Sequence, residues 1–87
     1  MKLKYEFEKM ELDDEIIAVP IGNDAINLHA VLKINETASD ILDLLKKETS
    51  EEHVVDALLK LYSVDRSDLS NYVHLFIKEL DKLGLIV

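Results

Sequence analysis

Polar and apolar residues alternate through the first third of the chain, a pattern that predicts β-strands with one buried face. The segment KYEFEKM, residues 4–10, places Tyr5 and Phe7 on the same face. The segment EIIAVPI, residues 15–21, is rich in β-forming residues and reaches Pro20, which suits a strand end or an edge strand. Two strands are therefore predicted before residue 22.

Turn-forming residues separate these strands from each other and from a third. The aspartates at 13–14 fit a turn better than an acid–base pair, and GND at 22–24 is a second turn signal. The segment AINLHAVLKI, residues 25–34, then predicts a third strand, and the short connections predict an antiparallel meander. On this strand one face carries Ala30, Leu32 and Ile34, and the other carries His29, Val31 and Lys33.

The remainder of the chain has the 3.6-residue period of three amphipathic helices. Asn35 is the predicted N-cap of the first helix, and Asp65 is the predicted N-cap of the third. Thr49, the first residue of the capping box TSEE, is the predicted N-cap of the second helix. Gly84 is a helix stop, after which LIV is expected to pack as a short tail. The apolar positions are Ala38, Ile41, Leu42 and Leu45, then Val54, Val55, Leu58, Leu59 and Tyr62, then Leu69, Tyr72, Val73, Phe76, Ile77, Leu80 and Leu83.

This order of elements predicts the fold class. Three antiparallel strands followed by three helices indicate an α+β, winged-helix-like domain that spans residues 1–87 as a single unit.

Composition and charge narrow the classes of function. The 87 residues include no cysteine, which excludes thiol catalysis, disulfides and thiolate metal sites. The formal net charge is −8 and the ten lysines and arginines are scattered, so binding to nucleic acid is not expected. No apolar run is long enough for a membrane span and no signal peptide is recognisable, so the prediction is a cytoplasmic protein without a membrane partner.

No arrangement of residues predicts catalysis, a metal site or a cofactor. The histidines lack the i, i+4 spacing of a metal motif, and the carboxylates lie mainly where helix caps and solvated faces favour them. There is no glycine-rich loop. We therefore predict no catalytic residue, no metal ligand and no cofactor, and expect surface positions for His29, His53 and His74.

The third strand and the third helix together form a candidate binding surface. A strand edge carries unpaired N–H and C=O groups that can bind an extended peptide. The backbone near Val31 and Lys33 and the amphipathic Tyr72 at the margin of the helical stripe suit such contact. Core packing is the favoured interpretation of Leu32, Ile34, Phe76 and Leu80.

The order of motifs resembles the PqqD family, small proteins named for coenzyme PQQ synthesis whose fold is also called the RiPP recognition element. The similarity covers residues 26–86 well and residues 1–25 loosely, where the first strand is unusually charged. Its motifs are Ile34-Asn35-Glu36-Thr37-Ala38, then Ile41 and Leu44-Leu45, then Thr49, and finally Leu80-Asp81-Lys82-Leu83-Gly84-Leu85-Ile86.

The resemblance implies a non-catalytic domain that binds the leader segment of a ribosomally made precursor peptide. In this family the peptide adds as an extra strand beside the third strand, against the third helix, and is presented to a modifying enzyme, often a radical SAM enzyme. The candidate peptide-binding residues are then Leu28, Val31, Leu32, Lys33, Leu69, Tyr72 and Phe76.

Two alternatives remain open at this stage. The helix order permits a winged-helix DNA-binding protein, although the third helix balances Arg66, Lys78 and Lys82 against Asp68, Glu79 and Asp81. A strand-exchanged oligomerisation module is the other alternative, in which the edge strand pairs with a second copy. A monomer and a homodimer are both compatible with the sequence.

Overall fold

The chain folds as a three-stranded antiparallel sheet followed by three helices, which confirms the predicted α+β architecture. A computed structural model describes residues 1–22, 25, 28 and 30–87. The remaining residues, including His29 and two positions of the predicted turn at 22–24, lie outside the described part. The elements are β1 (Glu6–Leu12), β2 (Glu15–Ile21), β3 (Leu32–Ile34), α1 (Glu36–Leu44), α2 (Glu51–Leu59) and α3 (Arg66–Lys82).

A tight hairpin joins β1 to β2. Leu12 pairs with Glu15 across a two-residue turn in which Asp13 has a φ of 55°, a conformation that aspartate tolerates better than most residues. The aspartates thus form a turn, as predicted. β1 begins two residues later than predicted because Lys4 is engaged elsewhere, its N–H donating to the carbonyl oxygen of Leu85 at 2.9 Å.

The third strand is much shorter than the predicted segment 25–34. β3 covers only Leu32–Ile34 and pairs with β2, with Lys33 opposite Ile17. The physical reason lies in turn-type hydrogen bonds upstream. The N–H of Ala25 donates to Gly22 and the N–H of Leu28 donates to Ala25, so these two N–H groups make turn-type bonds and do not pair with a strand.

Side chains cap each helix at its N-terminus, where backbone N–H groups lack partners within the helix. Asn35 and Asp65 cap α1 and α3 as predicted. The predicted cap of α2 was wrong by one residue: Ser50, not Thr49, has the extended backbone of a cap, and its Oγ accepts the N–H of His53 at 3.2 Å. The N–H of Thr49 instead donates to the carbonyl oxygen of Met1 at 2.9 Å.

The two ends of the chain lie side by side. Gly84, with a φ of 74°, ends α3, and the following N–H of Leu85 donates back to Leu80 at 3.0 Å. The tail then runs antiparallel to the N-terminal residues, with a bridge between Leu3 and Ile86. The expected packing of the tail is therefore confirmed, since Leu85 and Ile86 are buried.

One apolar core joins the helices, the inner face of the sheet and both ends of the chain. The central strand contributes Ala18, which is fully buried. The largest fully buried side chains are Ile41, Leu42, Leu45, Leu58, Leu80, Leu85, Val54 and Val73. Nearly all of them occupy the apolar positions that the helical period predicted, so the burial of these faces is what holds the helices together.

The ammonium group of a lysine on the inner face of β1 finds its hydrogen-bond acceptors on α1. The Nζ of Lys9 donates to the carbonyl oxygen of Ser39 at 3.1 Å and to Oδ1 of Asp43 at 2.7 Å. Partial burial alone would raise the pKa of Asp43, but the ammonium groups of Lys9 and Lys46 outweigh it and hold that pKa below its ordinary value of 3.8. The ion pair holds α1 against the edge strand β1.

Within the described residues, no helix is long and apolar enough to cross a membrane.

Replacement of Ser50 should destabilise the protein more than replacement of its neighbour. Ser50→Ala removes the cap of α2 and is expected to lower the free energy of unfolding by about 1 kcal/mol. Thr49→Ala is the matched control, because its side chain caps nothing. Urea denaturation followed by circular dichroism measures both. An equal or larger loss for Thr49→Ala would place the start of α2 one residue earlier.

Substitutions at Asn35 should separate its two hydrogen bonds, since its Oδ1 accepts from Ala38 N–H at 2.9 Å and from the Tyr72 hydroxyl at 3.1 Å. Asn35→Ala is expected to cost about 1 kcal/mol of folding free energy, whereas Asn35→Asp, which keeps an acceptor, should be nearly neutral. Tyr72→Phe should destabilise Asn35→Ala less than it destabilises the unsubstituted protein, because the shared bond is already lost. If the losses of unfolding free energy from Asn35→Ala and Tyr72→Phe simply add in the double variant, the two side chains do not interact.

Candidate functional site

The order of strands leaves β3 at one edge of the sheet and β1 at the other. The two edges differ in chemistry. β1 reads EFEKMEL, and its charged side chains are of the kind that protects an edge from pairing with other chains. β3 reads LKI and has a single charge. Among the described strands, β3 is therefore the edge better suited to accept an additional strand.

The side chains of β3 alternate between the core and the solvent. Leu32 and Ile34 are half-buried and pack against the core, whereas Lys33 is exposed. Just before the strand, Leu28 is half-buried against the core and Val31 is 60% exposed. One face of this edge therefore carries apolar side chains that pack against the core, and the other face carries the exposed Val31 and Lys33.

A partly uncovered apolar strip runs along one flank of α3. The residues at the centre of the buried face, such as Val73 and Leu80, point into the core and pack chiefly against α2. Helical geometry places a second set on the flank beside this face. We call these residues the flank strip: Tyr72 (38% exposed), Leu75 (57% exposed), Leu83 (39% exposed) and the half-buried Phe76.

A hydrogen bond joins the flank strip to the end of β3. The Tyr72 hydroxyl donates to Oδ1 of Asn35, the residue that follows the strand and caps α1. This bond puts Tyr72 at the end of β3 and shows which flank of α3 is turned toward the edge strand. We therefore take β3, the Asn35 cap and the flank strip together as the candidate surface, joined at this hydrogen bond.

The structure distributes the residues predicted for peptide binding unequally over this surface. Val31, Lys33 and Tyr72 are exposed, while Leu28, Leu32 and Phe76 are half-buried along its base. Leu69 is only 6% exposed and belongs to the core, so it can support the surface but offers a ligand little area. Sequence reasoning missed Leu75, although its position three residues after Tyr72 was a usable signal because the apolar stripe is wider there than a core needs.

Two concave regions of the described residues lie away from β3 and the flank strip. One cavity of about 370 Å³ sits between the N-terminal residues and α1, where the Lys9–Asp43 pair occupies its wall. Another concave region between α2 and α3 contains His74, whose Nδ1 lies 2.8 Å from Oε1 of Glu51. Within the described residues, no cluster of three histidine or acidic side chains is placed to hold a metal ion. An extended chain on an open strand edge needs no such cavity.

The hydroxyl of Tyr62 makes a hydrogen bond that joins two helical regions of the fold. The Tyr62 hydroxyl donates to Oδ2 of Asp40, which ties the end of α2 to α1, and this hydrogen bond raises the pKa of Tyr62 above its ordinary value of 10.0. The phenol therefore stays protonated at neutral pH and serves as a fixed donor.

Comparison with solved structures finds the same fold in complexes with peptides. The structure of TbiB1 in complex with the TbiA(beta) leader peptide matches with a TM-score of 0.72 and 25% sequence identity, over 98% of this chain and 93% of that one. Lasso peptide synthetase B1 complexed with the leader peptide matches with a TM-score of 0.66 and 21% identity, over 97% of this chain and 93% of that one. No curated protein sequence matches significantly.

A family model identifies the chain by sequence. The model for coenzyme PQQ synthesis protein D (PqqD) matches residues 21–86, which include β3, all three helices and the surface described above. Because the match covers well over half of the chain, this protein belongs to the PqqD family.

Proposed function

We propose that this chain is a non-catalytic module that binds the leader segment of a ribosomally made precursor peptide. The peptide adds as a further strand along β3, beside the flank strip of α3, and is thereby held for a modifying enzyme. The observation that carries the proposal is the combination of an uncharged edge, apart from Lys33, with an apolar strip at its side. Membership of the PqqD family and the similarity to TbiB1, which binds a leader peptide, support it.

Main-chain hydrogen bonds would set the direction and register of the peptide, but they do not supply enough affinity alone. β3 is three residues long. Each added hydrogen bond contributes about 1 kcal/mol net, whereas micromolar binding requires about 8 kcal/mol beyond the cost of ordering the peptide. Most of the affinity must therefore come from apolar peptide side chains that are removed from water.

The flank strip is where these anchors would bind. Side chains of an added strand alternate between the two faces of the sheet. Those on the inner face would meet Tyr72, Leu75 and Phe76, with Leu28 and Leu32 beneath them. Those on the outer face would pass Val31 and Lys33, where an acidic leader residue would gain at most about 1 kcal/mol from the exposed ammonium. Leu69 would act only by supporting this surface from the core.

The charge distribution disfavours the DNA-binding alternative. α3 would have to serve as the recognition helix, yet its three basic residues are balanced by three acidic ones and Arg66 is paired with Asp56 at 2.7 Å. A net charge of −8 adds repulsion from phosphates. Strand exchange with a second copy would use the same edge as the peptide, so the two modes would compete.

The chemistry of the reaction would belong to the partner enzyme. This chain would bind and present the peptide, and an enzyme such as a radical SAM protein would make the new bonds. We also propose that the chain acts in the cytoplasm, because its peptide ligand would be a fresh ribosomal product. The product of the pathway, PQQ or another modified peptide, depends on that enzyme.

Leu75→Ser should weaken binding of the leader peptide at least about fivefold, since anchors of an interface typically contribute more than 1 kcal/mol each. Leu61→Ser is the matched control: Leu61 is 67% exposed in the turn after α2 and belongs neither to β3 nor to the flank strip. Fluorescence anisotropy with a labelled leader segment of the cognate precursor peptide measures both. Equal affinity of the two variants would refute the role of the flank strip.

A further inference from the structure

The central strand of the sheet is apolar on both faces. On its inner face Ala18 and Pro20 are buried. On its outer face Ile17, Val19 and Ile21 follow one another without a polar residue. An antiparallel strand with one solvated face normally alternates between apolar and polar side chains, and a strand that is apolar on both faces is typical of a sheet covered on both sides.

Residues of β1 extend this apolar surface. Met10 lies directly opposite Ile17, and Leu12 is its diagonal neighbour, within reach of side-chain contact. Met10 is 51% exposed and Leu12 58% exposed. We call the set Met10, Leu12, Ile17, Val19 and Ile21 the outer sheet face. None of these residues belongs to the core cluster, and the helices of the described chain pack on the opposite face of the sheet.

The rim of the outer sheet face is acidic along the β1–β2 hairpin, and Lys33 adjoins the face only at the β3 side. The β1–β2 hairpin, residues 6–21, contains six carboxylates and one lysine. That lysine, Lys9, is turned to the inner face and neutralised by Asp43. The carboxylates are Glu6, Glu8, Glu11, Asp13, Asp14 and Glu15, and all are exposed. Glu11 is on the same side of β1 as Lys9, so the other five border the outer sheet face. An apolar centre with a rim of uncompensated negative charge is complementary to a surface with an apolar centre and a basic rim.

We propose that the outer sheet face is the docking surface for the peptide-modifying enzyme, through an apolar patch of that enzyme that is bordered by lysine or arginine. The inference rests on the proposed function, because it names the site of the partner that function requires. A second copy of this chain is a poorer occupant, since two-fold pairing of the same face would oppose two acidic rims. Nucleic acid is excluded by the same charge.

The position of this face relative to β3 supports the assignment. Lys33 of β3 lies opposite Ile17, so the outer sheet face continues directly to the edge along which the peptide would add. An enzyme seated there would also touch the outward side chains of the bound leader. One docking event would thus bring the enzyme and its substrate together without covering the flank strip of α3.

The test measures two affinities for the same variants. The probes are the purified cognate modifying enzyme, immobilised for biolayer interferometry, and the labelled leader segment of the cognate precursor peptide. Ile17→Thr/Val19→Thr removes apolar surface while keeping β-branched residues suited to a strand. Leu61→Thr/Val64→Thr is the matched control, at exposed positions in the turn between α2 and α3.

The expected result is a rise of at least about tenfold in the Kd for the enzyme with Ile17→Thr/Val19→Thr, with leader affinity unchanged and the control unaffected. Met10→Gln should also raise the Kd for the enzyme. Because Met10 is exposed and lies on the edge strand β1, this variant leaves the central strand β2 unchanged. Glu8→Lys should weaken enzyme binding more than Asp81→Lys, although both change the net charge by the same amount, and the difference should shrink at high salt.

Unchanged enzyme affinity in folded Ile17→Thr/Val19→Thr and in Met10→Gln would overturn the inference. So would a dimer of the unsubstituted protein in sedimentation velocity that Met10→Gln dissociates, because the face would then be occupied by a second copy. A failure of the leader to bind the unsubstituted protein would instead refute the proposed function, and the enzyme measurement would distinguish the two failures.

Discussion

A single side-chain oxygen fixes the elements that form the candidate binding surface. Oδ1 of Asn35 accepts the N–H of Ala38, which starts α1 immediately after β3, and it also accepts the hydroxyl of Tyr72 on α3. α3 packs mainly against α2, and this bond is a direct polar connection between α3 and the residue that follows the edge strand. The residue that follows the strand therefore joins one end of the candidate binding surface to α3 and leaves the flank strip beside it exposed.

The elements that could be predicted from sequence were those whose signals are local. The caps at Asn35 and Asp65, the turn at Asp13 and the stop at Gly84 each follow from the chemistry of one residue, and the helical cores follow from period alone. The second cap was misplaced because Thr49 and Ser50 are both good caps, and the choice depends on the bond between the Thr49 amide and Met1 at the start of the chain.

Features that depend on contacts distant in sequence were not predictable. The upstream part of the segment 25–34 alternates like a strand, but Ala25 forms a turn and is buried, so β3 shrinks to three residues. The exposure of Leu75 and the Tyr72–Asn35 bond follow from how α3 is rotated against α2. The expectation of peptide binding came from the resemblance to the PqqD family, whereas the exposure of particular apolar residues could be seen only in the structure.

The sheet has two separate uses in this account, one for its edge and one for its outer face. Peptide addition along β3 would rely on main-chain groups and the flank strip, whereas enzyme docking would rely on the apolar outer row of β2 and its acidic rim. The two surfaces adjoin at Lys33 but share no side chain that both require. Substitutions can therefore abolish one interaction and leave the other intact.

Amide hydrogen exchange followed by NMR tests the central claim most directly. Addition of the leader segment should slow exchange of amides in β3 that face away from β2 and shift the resonances of Tyr72 and Leu75, because a new strand would pair with that edge. Protection confined to β1, with the amides of Leu32–Ile34 and the α3 flank unchanged, would contradict the account and place the peptide on the opposite edge of the sheet.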